Sequence, residues 1–427
     1  MKNPFRWTPR LLICGLLVLG ACRSARETAL EGPLNPGPIN IPSIQPSIST
    51  LDSPTVVYPS ALVRMDSLII EFINAQAFPG AVLSVGKGLE IIKMTGYGAY
   101  TYRSRRRMLP ESVFDLASLT KVVATTTASM LLYERGQLDI DAPVSRYLDA
   151  FNTPERQSIT IRHLLTHTSG LPAWRPFYLD GIIARGAVLE EILSAELLTE
   201  PGEEYRYSDF GMISLALVIE EITGEPFDQW CTRNIFDPLG MTSTSFRSTG
   251  EPDPDVVPTE LDDYFRNRLI QGEVHDETAW SLGGVAGHAG LFSTALDLSQ
   301  FAQMMVQRGS HDGRTFLQAS TIDRFTAVVD TSFSTRALGW DTRNLNDEPS
   351  SAGLYFGPRS FGHTGFTGTS IWIDPDSEAW VILLTNRVYP TRDEYERFRG
   401  IRGSIADAAY EAFFWPVPIP EVEQSSQ

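Results

Sequence analysis

Hydrophobic residues recur along the chain with two different periods, which predict strands near both ends and helices between them. Apolar runs bounded by turn residues predict two pairs of strands, at residues 79–86 and 89–94 and at residues 370–374 and 380–385. Helical patterns, with apolar residues three to four positions apart, lie at residues 62–72, 118–136, 210–221, 298–306 and 401–414. Thr294 is expected to cap the fourth helix, and Gly224 to terminate the third.

The first 21 residues have the pattern of a secretory signal peptide. Residues 1–10 carry basic side chains and no acid, and the apolar run at 11–21 is too short to span a bilayer as a helix. The sequence LGAC at residues 19–22 resembles a bacterial lipobox, which predicts lipidation of Cys22. The alternative is an ordinary signal peptide followed by an incidental cysteine. A lipidated protein would be anchored in the bacterial cell envelope, facing the periplasm, and Arg23 favours sorting to the outer membrane.

A proline-rich stretch separates this segment from the rest of the chain. Residues 23–60 contain seven prolines and show neither period, so residues 22–60 are expected to form a semi-extended or disordered tether. The main domain is expected at residues 61–415, followed by a tail at 416–427. The length of 427 residues and the 42% hydrophobic content predict a globular body with two lobes.

The charge of the chain argues against two classes of partner. The formal net charge is −17, and removal of the signal peptide with its three positive charges makes it −20. Such an acidic protein is not expected to bind nucleic acid or anionic lipid, although a saline habitat also explains acidity. Membrane attachment is therefore expected through the lipid on Cys22. With three cysteines and no CxxC pair, neither a disulfide framework nor a cysteine metal site is expected.

One stretch has the pattern of a nucleophile and its base. In the sequence DLASLTK at residues 115–121, Ser118 and Lys121 are three residues apart and would share one helix face. A lysine in a dry pocket, with a lowered pKa, can take the proton of a serine hydroxyl, and the helix N-terminus supplies free N–H groups. Alone, such a pair is more often a capping serine beside a solvated lysine.

Two further motifs follow in chain order. Tyr207-Ser208-Asp209 precedes the third helix, and His363-Thr364-Gly365 precedes the second pair of strands. Together the three motifs resemble those of the serine β-lactamase and penicillin-binding-protein superfamily, particularly its class C-like and carboxypeptidase-like branch and the penicillin-binding-protein 4B type. The resemblance extends from about residue 60 to residue 415 and includes the segments at 163–172, 238–241 and 283–294.

The resemblance implies an α+β fold of the β-lactamase/transpeptidase-like type. In this fold an antiparallel sheet is flanked by helices and carries an inserted, mostly helical lobe. The α/β lobe would comprise about residues 61–110 and 285–415, and the helical lobe about residues 111–284, with the site between the two. The predicted strands at both chain ends and the helices between them agree with this arrangement.

The resemblance also implies a role for each motif residue. Ser118 would attack a substrate carbonyl and form an acyl-enzyme. Lys121 would accept its proton or hold the electrostatic environment, and Tyr207 would be the partner base and proton shuttle. The backbone N–H groups of Ser118 and Phe366 would form an oxyanion hole. The remaining residues expected to line the substrate side are Asp209, His363, Thr364 and Gly365.

Two positions depart from the pattern of many relatives. Asp209 stands where asparagine is common, which removes an amide donor, and His363 stands where β-lactamases usually have lysine. A histidine with a pKa of about 6.5 is mostly neutral at pH 7 and should bind a carboxylate less strongly than lysine, or only bond within the site. We therefore expect a D-Ala-D-Ala carboxypeptidase-type peptidase acting on a small molecule or peptidoglycan peptide, or an esterase. A non-catalytic lipoprotein that binds cell-wall material is the alternative.

No metal and no cofactor is expected. His163 and His167 are four residues apart, but they lack a third ligand and an HExxH context, so packing and hydrogen bonding are their predicted roles. The glycine-rich segment at residues 280–294 lacks a phosphate-loop pattern and is expected to allow close backbone approach near a cleft.

Overall fold

The computed structural model describes residues 57–250, 252–330, 332, 334–343, 350–393, 395–398 and 400–414. The expected signal peptide, Cys22, nearly all of the tether and the C-terminal tail lie outside these residues. Among the helices within them, none has the length and apolar content needed to cross a membrane.

Strands from both ends of the main domain combine in one principal sheet. Its order is β10-β11-β12-β13-β1-β2, and every neighbouring pair is antiparallel. An early strand, β1, thus pairs with a late one, β13, in the interior of the sheet. The strands of the described part are β1 (Gly80–Lys87), β2 (Glu90–Gly98), β3 (Phe114–Asp115), β4 (Ser245–Phe246), β5 (Leu261–Asp262), β6 (Arg268–Leu269), β7 (Leu291–Ser293), β8 (Ser310–His311), β9 (Arg314–Thr315), β10 (Asp341–Thr342), β11 (Phe361–Thr364), β12 (Ser370–Ile373) and β13 (Ala379–Thr385).

Most helices lie in the chain between β2 and β10. The α-helices of the described part are α1 (Pro59–Asn74), α2 (Thr127–Glu134), α3 (Ile161–Leu165), α4 (Arg185–Ser194), α5 (Asp209–Thr223), α6 (Phe227–Cys231), α7 (Glu277–Ser281), α8 (Ala295–Val306), α9 (Ala319–Thr326), α10 (Tyr395–Phe398) and α11 (Ile401–Phe414). Shorter 3₁₀ and π-helical segments lie at Ala117–Leu119, Lys121–Thr126, Val144–Arg146, Asp149–Phe151, Phe177–Asp180 and Thr232–Phe236.

The two faces of the principal sheet belong to two hydrophobic cores, because successive side chains of a strand point to opposite faces. On β1, Ala81 and Leu83 enter the core formed with α1 and α11, whereas Val82 enters the core shared with α8 and the helical region. β13 alternates in the same way, with Leu383 in the first core and Leu384 in the second. Both β1 and β13 are thus covered on both faces, which explains their continuous apolar sequences.

Local sequence signals set the helix ends. The side chain of Thr294 accepts the N–H of Asp297 at 3.2 Å and caps α8. Gly224 follows α5 with a φ of 68°, a left-handed conformation that suits glycine. Both predicted helix ends are confirmed. The predicted antiparallel sheet, flanked by helices and carrying a mostly helical insertion, is confirmed as well.

Candidate active site

Ser118 lies in a tight strand-to-helix turn and not in the first turn of a regular α-helix. The chain passes from β3 through a 3₁₀ turn at Ala117–Leu119 and a π-helical segment at Lys121–Thr126, so α2 begins only at Thr127. Ala117 has a φ of 46°, which is uncommon for a residue with a side chain. Its N–H donates to Asp115 Oδ1 at 2.8 Å, which stabilises this conformation. The expected helix start is thus corrected, because a sharp turn precedes the helix.

Three contacts hold Lys121, whose side chain is fully buried. Its Nζ donates to Ser118 Oγ at 2.9 Å and to the backbone carbonyl of His288 at 3.0 Å. The same Nζ lies 2.7 Å from Asp209 Oδ1. The structure therefore brings Ser118 and Lys121 together as their spacing predicted, and adds a carboxylate beside the lysine.

This carboxylate reverses the expected charge state of the lysine. Burial by itself lowers the pKa of Lys121, but the charge of Asp209 and interactions with Tyr207 raise it above its ordinary value. The expectation of a lysine with a lowered pKa was therefore wrong. Lys121 is an ammonium that donates to Ser118, and it cannot accept a proton before it has transferred one of its own.

Tyr207 lies between the lysine and a buried histidine. Lys121 Nζ is 4.9 Å from the centre of the Tyr207 ring, and the ring of His167 is 4.5 Å from it. His167 Nδ1 accepts the N–H of Ser208 at 3.1 Å, so His167 fixes the peptide that follows Tyr207. Burial, then the charges of Arg336 and Lys121, lowers the pKa of His167 well below its ordinary value, which makes the ring neutral. The structure thus gives His167 a packing and hydrogen-bonding role directly beside the site.

Asp209 faces the lysine. It is the first residue of α5, and the preceding residue Ser208 caps this helix by accepting the N–H of Gly211 at 3.1 Å. A negative charge at this position interacts favourably with the helix dipole. We expected Asp209 among the residues that line the substrate side, and 21% of its side chain is exposed. Its contact with Lys121 adds a second role, which is to keep the lysine charged.

The turn after β11 packs directly against the serine segment. We call residues 365–369 the oxyanion turn. Thr367 Oγ1 donates to the carbonyl of Asp115 at 2.8 Å, and Thr369 Oγ1 donates to that of Leu116 at 2.9 Å. A Cβ on Gly365 would lie 2.4 Å from the Leu116 carbonyl oxygen, so this close approach requires glycine.

Phe366 occupies the second position of this turn. Its N–H donates to no acceptor within the described residues, and 48% of the residue is exposed. Because the turn is bonded to the segment that carries Ser118, a free N–H at Phe366 suits the oxyanion donor that the motifs imply.

β11 presents an open edge beside the turn. β10 pairs with Phe361 and Gly362 only, so the edge at His363 and Thr364 faces no strand within the described ranges. An extended peptide can add to such an edge through backbone hydrogen bonds. This geometry agrees with the substrate-lining role implied for Thr364 and Gly365.

His363 is held in its neutral form by its neighbours. Its Nδ1 lies 2.8 Å from the carbonyl of Thr364, which can only accept, so Nδ1 carries the hydrogen. Its Nε2 lies 3.4 Å from Nη1 of Arg336, which can only donate, so Nε2 is unprotonated. Burial, followed by the charges of Arg336 and Lys121, lowers the pKa of His363 well below its ordinary value.

Arg336 is a site residue that the motifs did not reveal. Its guanidinium carbon lies 5.1 Å from the ring centre of Tyr207 and 5.7 Å from that of Tyr205. Burial by itself lowers the pKa of Arg336, but Asp341 and the two tyrosines raise it, so the side chain is a permanent cation next to His363. No local pattern marks Arg336, because the long connection before β10 brings it to the site.

One group of potential metal ligands lies near the lysine in the described part. Oxygen atoms of Asp209 and Asp276 and a ring nitrogen of His288 fall within 4.8 Å of one another. However, the Lys121 ammonium already neutralises Asp209, and His288 Nε2 lies 2.9 Å from Asp276 Oδ1. The arrangement is therefore accounted for by ion pairing and hydrogen bonding, without a metal ion.

Comparison with known proteins agrees with this geometry. The profile of the family described as Beta-lactamase matches residues 65–404. This chain belongs to the β-lactamase family. The predicted superfamily and the class of serine hydrolase are thereby confirmed.

Two curated relatives act on different bonds according to their names. An "N-acetylmuramyl-L-alanine amidase" from Bacillus subtilis is 33% identical over 411 residues, which cover 86% of this chain and 92% of the relative. A "Putative D-alanyl-D-alanine carboxypeptidase" from Escherichia coli is 30% identical over 359 residues, which cover 76% of this chain and 82% of the relative. Both names refer to components of peptidoglycan.

A solved structure shares the fold. It is titled "EstCE1, a hydrolase with promiscuous acyltransferase activity", and it is 25% identical with a TM-score of 0.68. The match covers 82% of this chain and 99% of that one. The relatives and this fold neighbour are thus named for amidase, carboxypeptidase, hydrolase and acyltransferase activities.

Proposed function

We propose that this protein hydrolyses an amide bond of a peptidoglycan-derived peptide through an acyl-enzyme on Ser118, as a D-Ala-D-Ala-type carboxypeptidase does. The observation that carries this proposal is the contact of 2.9 Å between Ser118 Oγ and Lys121 Nζ, in a lysine that Asp209 and the His288 carbonyl hold in place. The names of the two curated relatives support a substrate from peptidoglycan.

The charge state of Lys121 shapes the proposed reaction. Ser118 Oγ attacks the substrate carbonyl, and its proton passes to the unit formed by Lys121 and Tyr207. Because Lys121 starts as an ammonium, it transfers a proton to the Asp209 carboxylate, 2.7 Å away, before it takes the one from Ser118. The ring of Tyr207 lies beside Lys121 and Arg336, so its hydroxyl can relay the proton by donating its own hydrogen as it accepts another.

The same proton then completes the cycle. It is given to the nitrogen of the leaving amine, so the carbon–nitrogen bond breaks while the Ser118 ester remains. The N–H groups of Ser118 and Phe366 stabilise the oxyanion during this step. Water next attacks the ester, releases the acid and returns the proton to Ser118.

Arg336 supports a substrate that carries a carboxylate. His363 is neutral and cannot supply the charge that a lysine would at this position, whereas Arg336 places a cation within 3.4 Å of the His363 ring. An extended peptide on the open edge of β11 would direct its terminal carboxylate toward this guanidinium. Charge-assisted hydrogen bonds of this kind are stronger than neutral ones.

Ester hydrolysis is the second candidate function. The fold neighbour named as a hydrolase with acyltransferase activity supports it, as does the absence of charge on His363. A neutral acyl group would then occupy the cleft, and the carboxylate would not be required.

The test is to find which bond is cleaved and by which residue. Purified enzyme is incubated with a muropeptide ending in D-Ala-D-Ala, with N-acetylmuramyl-L-alanine and with a neutral nitrophenyl ester, and the products and adducts are weighed by mass spectrometry. We expect loss of the terminal D-Ala, and a Ser118 adduct that Ser118→Ala abolishes without unfolding the protein. Cleavage of only the ester would select the second candidate. Binding of the muropeptide without any adduct or product would favour the non-catalytic cell-wall protein.

We also propose export and lipidation at Cys22. The basic start, the short apolar run and the LGAC sequence support this, and Arg23 supports the outer membrane. Cys22→Ala should release the protein from the membrane fraction or leave an uncleaved precursor. Unchanged fractionation with normal processing would contradict lipidation.

A further inference from the structure

The Gly365–Phe366 peptide, whose N–H would form half of the oxyanion hole, accepts a hydrogen bond on its carbonyl from an arginine of the C-terminal helix. Arg402 lies in the first turn of α11, far in sequence from the three motifs. Its Nη2 donates to the carbonyl of Gly365 at 2.6 Å and to that of Thr369 at 3.1 Å. These two carbonyls stand at the two ends of the oxyanion turn.

The geometry of the peptide bond explains what the contact between Arg402 and the Gly365 carbonyl does. The carbonyl of Gly365 and the N–H of Phe366 belong to the same planar trans peptide, so they point in opposite directions. The hydrogen bond from Arg402 to this carbonyl, together with the one from the N–H of Gly368, therefore sets the direction of the Phe366 N–H. A cation on the carbonyl side also polarises the peptide and makes its N–H a stronger donor.

Within the turn, the N–H of Gly368 also donates to the Gly365 carbonyl, at the longer distance of 3.1 Å. Gly365 donates its own N–H to the Thr369 carbonyl at 2.8 Å, and Arg387 donates its N–H to the Thr367 carbonyl at 3.1 Å. The side chains of Thr367 and Thr369 attach the turn to the serine segment. Among the bonds of the described part, the one from Arg402 Nη2 reaches the Gly365 carbonyl from outside the turn. It is shorter than the bond from Gly368, and its donor is a cation.

Arg402 carries its charge at neutral pH. Burial and the neighbouring charge of Arg387 lower its pKa to about 9, which is still above neutral pH. The guanidinium also lies 4.9 Å from the ring centre of Phe398, so α10 and α11 both help to position it.

We propose that Arg402 is a positioning residue for catalysis, which orients and polarises the Gly365–Phe366 peptide so that the Phe366 N–H meets the oxyanion. This inference rests on the proposed acyl-enzyme at Ser118. It assigns a functional role to the C-terminal helix, which otherwise serves only to cover one face of the sheet.

The test compares Arg402→Met and Arg402→Lys with a matched control, Arg64→Met. Arg64 forms an ion pair with Glu411 of the same helix α11 but does not touch the oxyanion turn. An activated ester acylates each protein, and the infrared band of the acyl-enzyme carbonyl is recorded together with kcat and KM. Thermal unfolding shows whether each variant is folded.

We expect Arg402→Met to lower kcat by about tenfold to a hundredfold, since removal of one oxyanion donor costs roughly 10² to 10³ and here the donor is only misdirected. KM should change little, and the carbonyl band should move to higher wavenumber because its hydrogen bonds weaken. Arg402→Lys keeps the charge and one donor, so it should restore part of the rate and of the band position.

Three results would overturn the proposal. The first is an unmoved carbonyl band and an unchanged kcat in folded Arg402→Met. The second is an equal loss in Arg64→Met, which would trace the effect to the anchoring of α11 in general. If Arg402→Met does not fold, an unmoved band and unchanged kcat in folded Arg402→Gln, which removes the charge, would be the third. Failure of the wild-type protein to form any Ser118 adduct would instead refute the proposed function itself.

Discussion

Lys121 and His363 are both nearly inaccessible to solvent, with 0% and 2% exposure, yet burial leaves one charged and the other neutral. Lys121 lies 2.7 Å from the carboxylate of Asp209, which offsets the cost of removing its charge from water. His363 instead faces the cations Arg336 and Lys121, whose repulsion adds to that cost. The difference shows that the partner, and not burial alone, sets the protonation state in this site.

The largest effect on the rate should come from removing the charged lysine of this comparison or its partner Tyr207. Lys121→Ala and Tyr207→Phe should each lower the rate of acylation by at least about a hundredfold, as expected for loss of a general base. Because the two side chains handle the same proton, the double variant should be much less than multiplicatively worse. Rates of acylation by an activated ester, measured in all four proteins, test this. Fully multiplicative losses would show that the two residues act independently.

An effect of comparable size, on stability and not on rate, should follow from removing only the partner of the lysine. The pKa of Lys121 is raised in the folded state, so the ion pair stabilises the protein below the unfolded pKa of about 10.4, and this contribution is lost as pH rises through the folded value. Asp209→Asn should therefore lower the free energy of unfolding at pH 7 by about 3 kcal/mol, the lower end for a broken buried pair since Asp209 is partly exposed.

Denaturant unfolding of wild type and Asp209→Asn, at pH 7 and at strongly alkaline pH, measures this effect. The matched control is Asp141→Asn, because Asp141 pairs with Arg162 at 2.7 Å on the surface and its loss should cost less than about 1 kcal/mol. A loss at pH 7 that is the same in both variants would argue against a special role for the buried pair.

The neutral state of His363 should make the stability of the protein depend on pH. The pKa of His363 is lowered in the folded state, so below about pH 6.5 the unfolded chain binds a proton that the folded chain does not. Stability should therefore fall as pH falls, by about 1.4 kcal/mol at pH 5.5 for one such histidine. His363→Gln should remove this share of the loss between pH 7.5 and 5.5. An identical pH dependence in wild type and variant would mean that His363 binds the same number of protons in the folded and the unfolded state over this pH range.

The smallest effect should distinguish Arg336 from His363 as the group that meets a carboxylate. Arg336→Gln should lower kcat/KM for a D-Ala-D-Ala peptide relative to a neutral nitrophenyl ester by roughly fivefold, or about 1 kcal/mol for one charge-assisted hydrogen bond. The preference in wild type should stay flat from pH 5.5 to 8, because His363 does not titrate there. Arg324→Gln on the surface is the control, and an equal change in both variants would argue against carboxylate recognition by Arg336.

Much of the fold followed from local sequence. The strand pairs at both chain ends were predicted because Val82 and its neighbours, and the run at residues 380–385, are apolar and bounded by turn residues. The cap at Thr294 and the stop at Gly224 depend on side chains next to the helix itself, so the sequence is sufficient for them. The three motifs indicated the family for a similar reason, because each is a short local pattern and the three occur in a fixed order along the chain.

The tertiary structure decided what the motif residues do. The charge of Lys121 depends on Asp209, which is 88 residues away in the chain, and the neutrality of His363 depends on Arg336, which lies in a segment without any pattern of its own. The role of Arg402 depends on the path of the oxyanion turn, 33 residues or more before it. Protonation states and the direction of a single N–H arise from distances between separate segments, and a sequence does not contain these distances until the chain has folded.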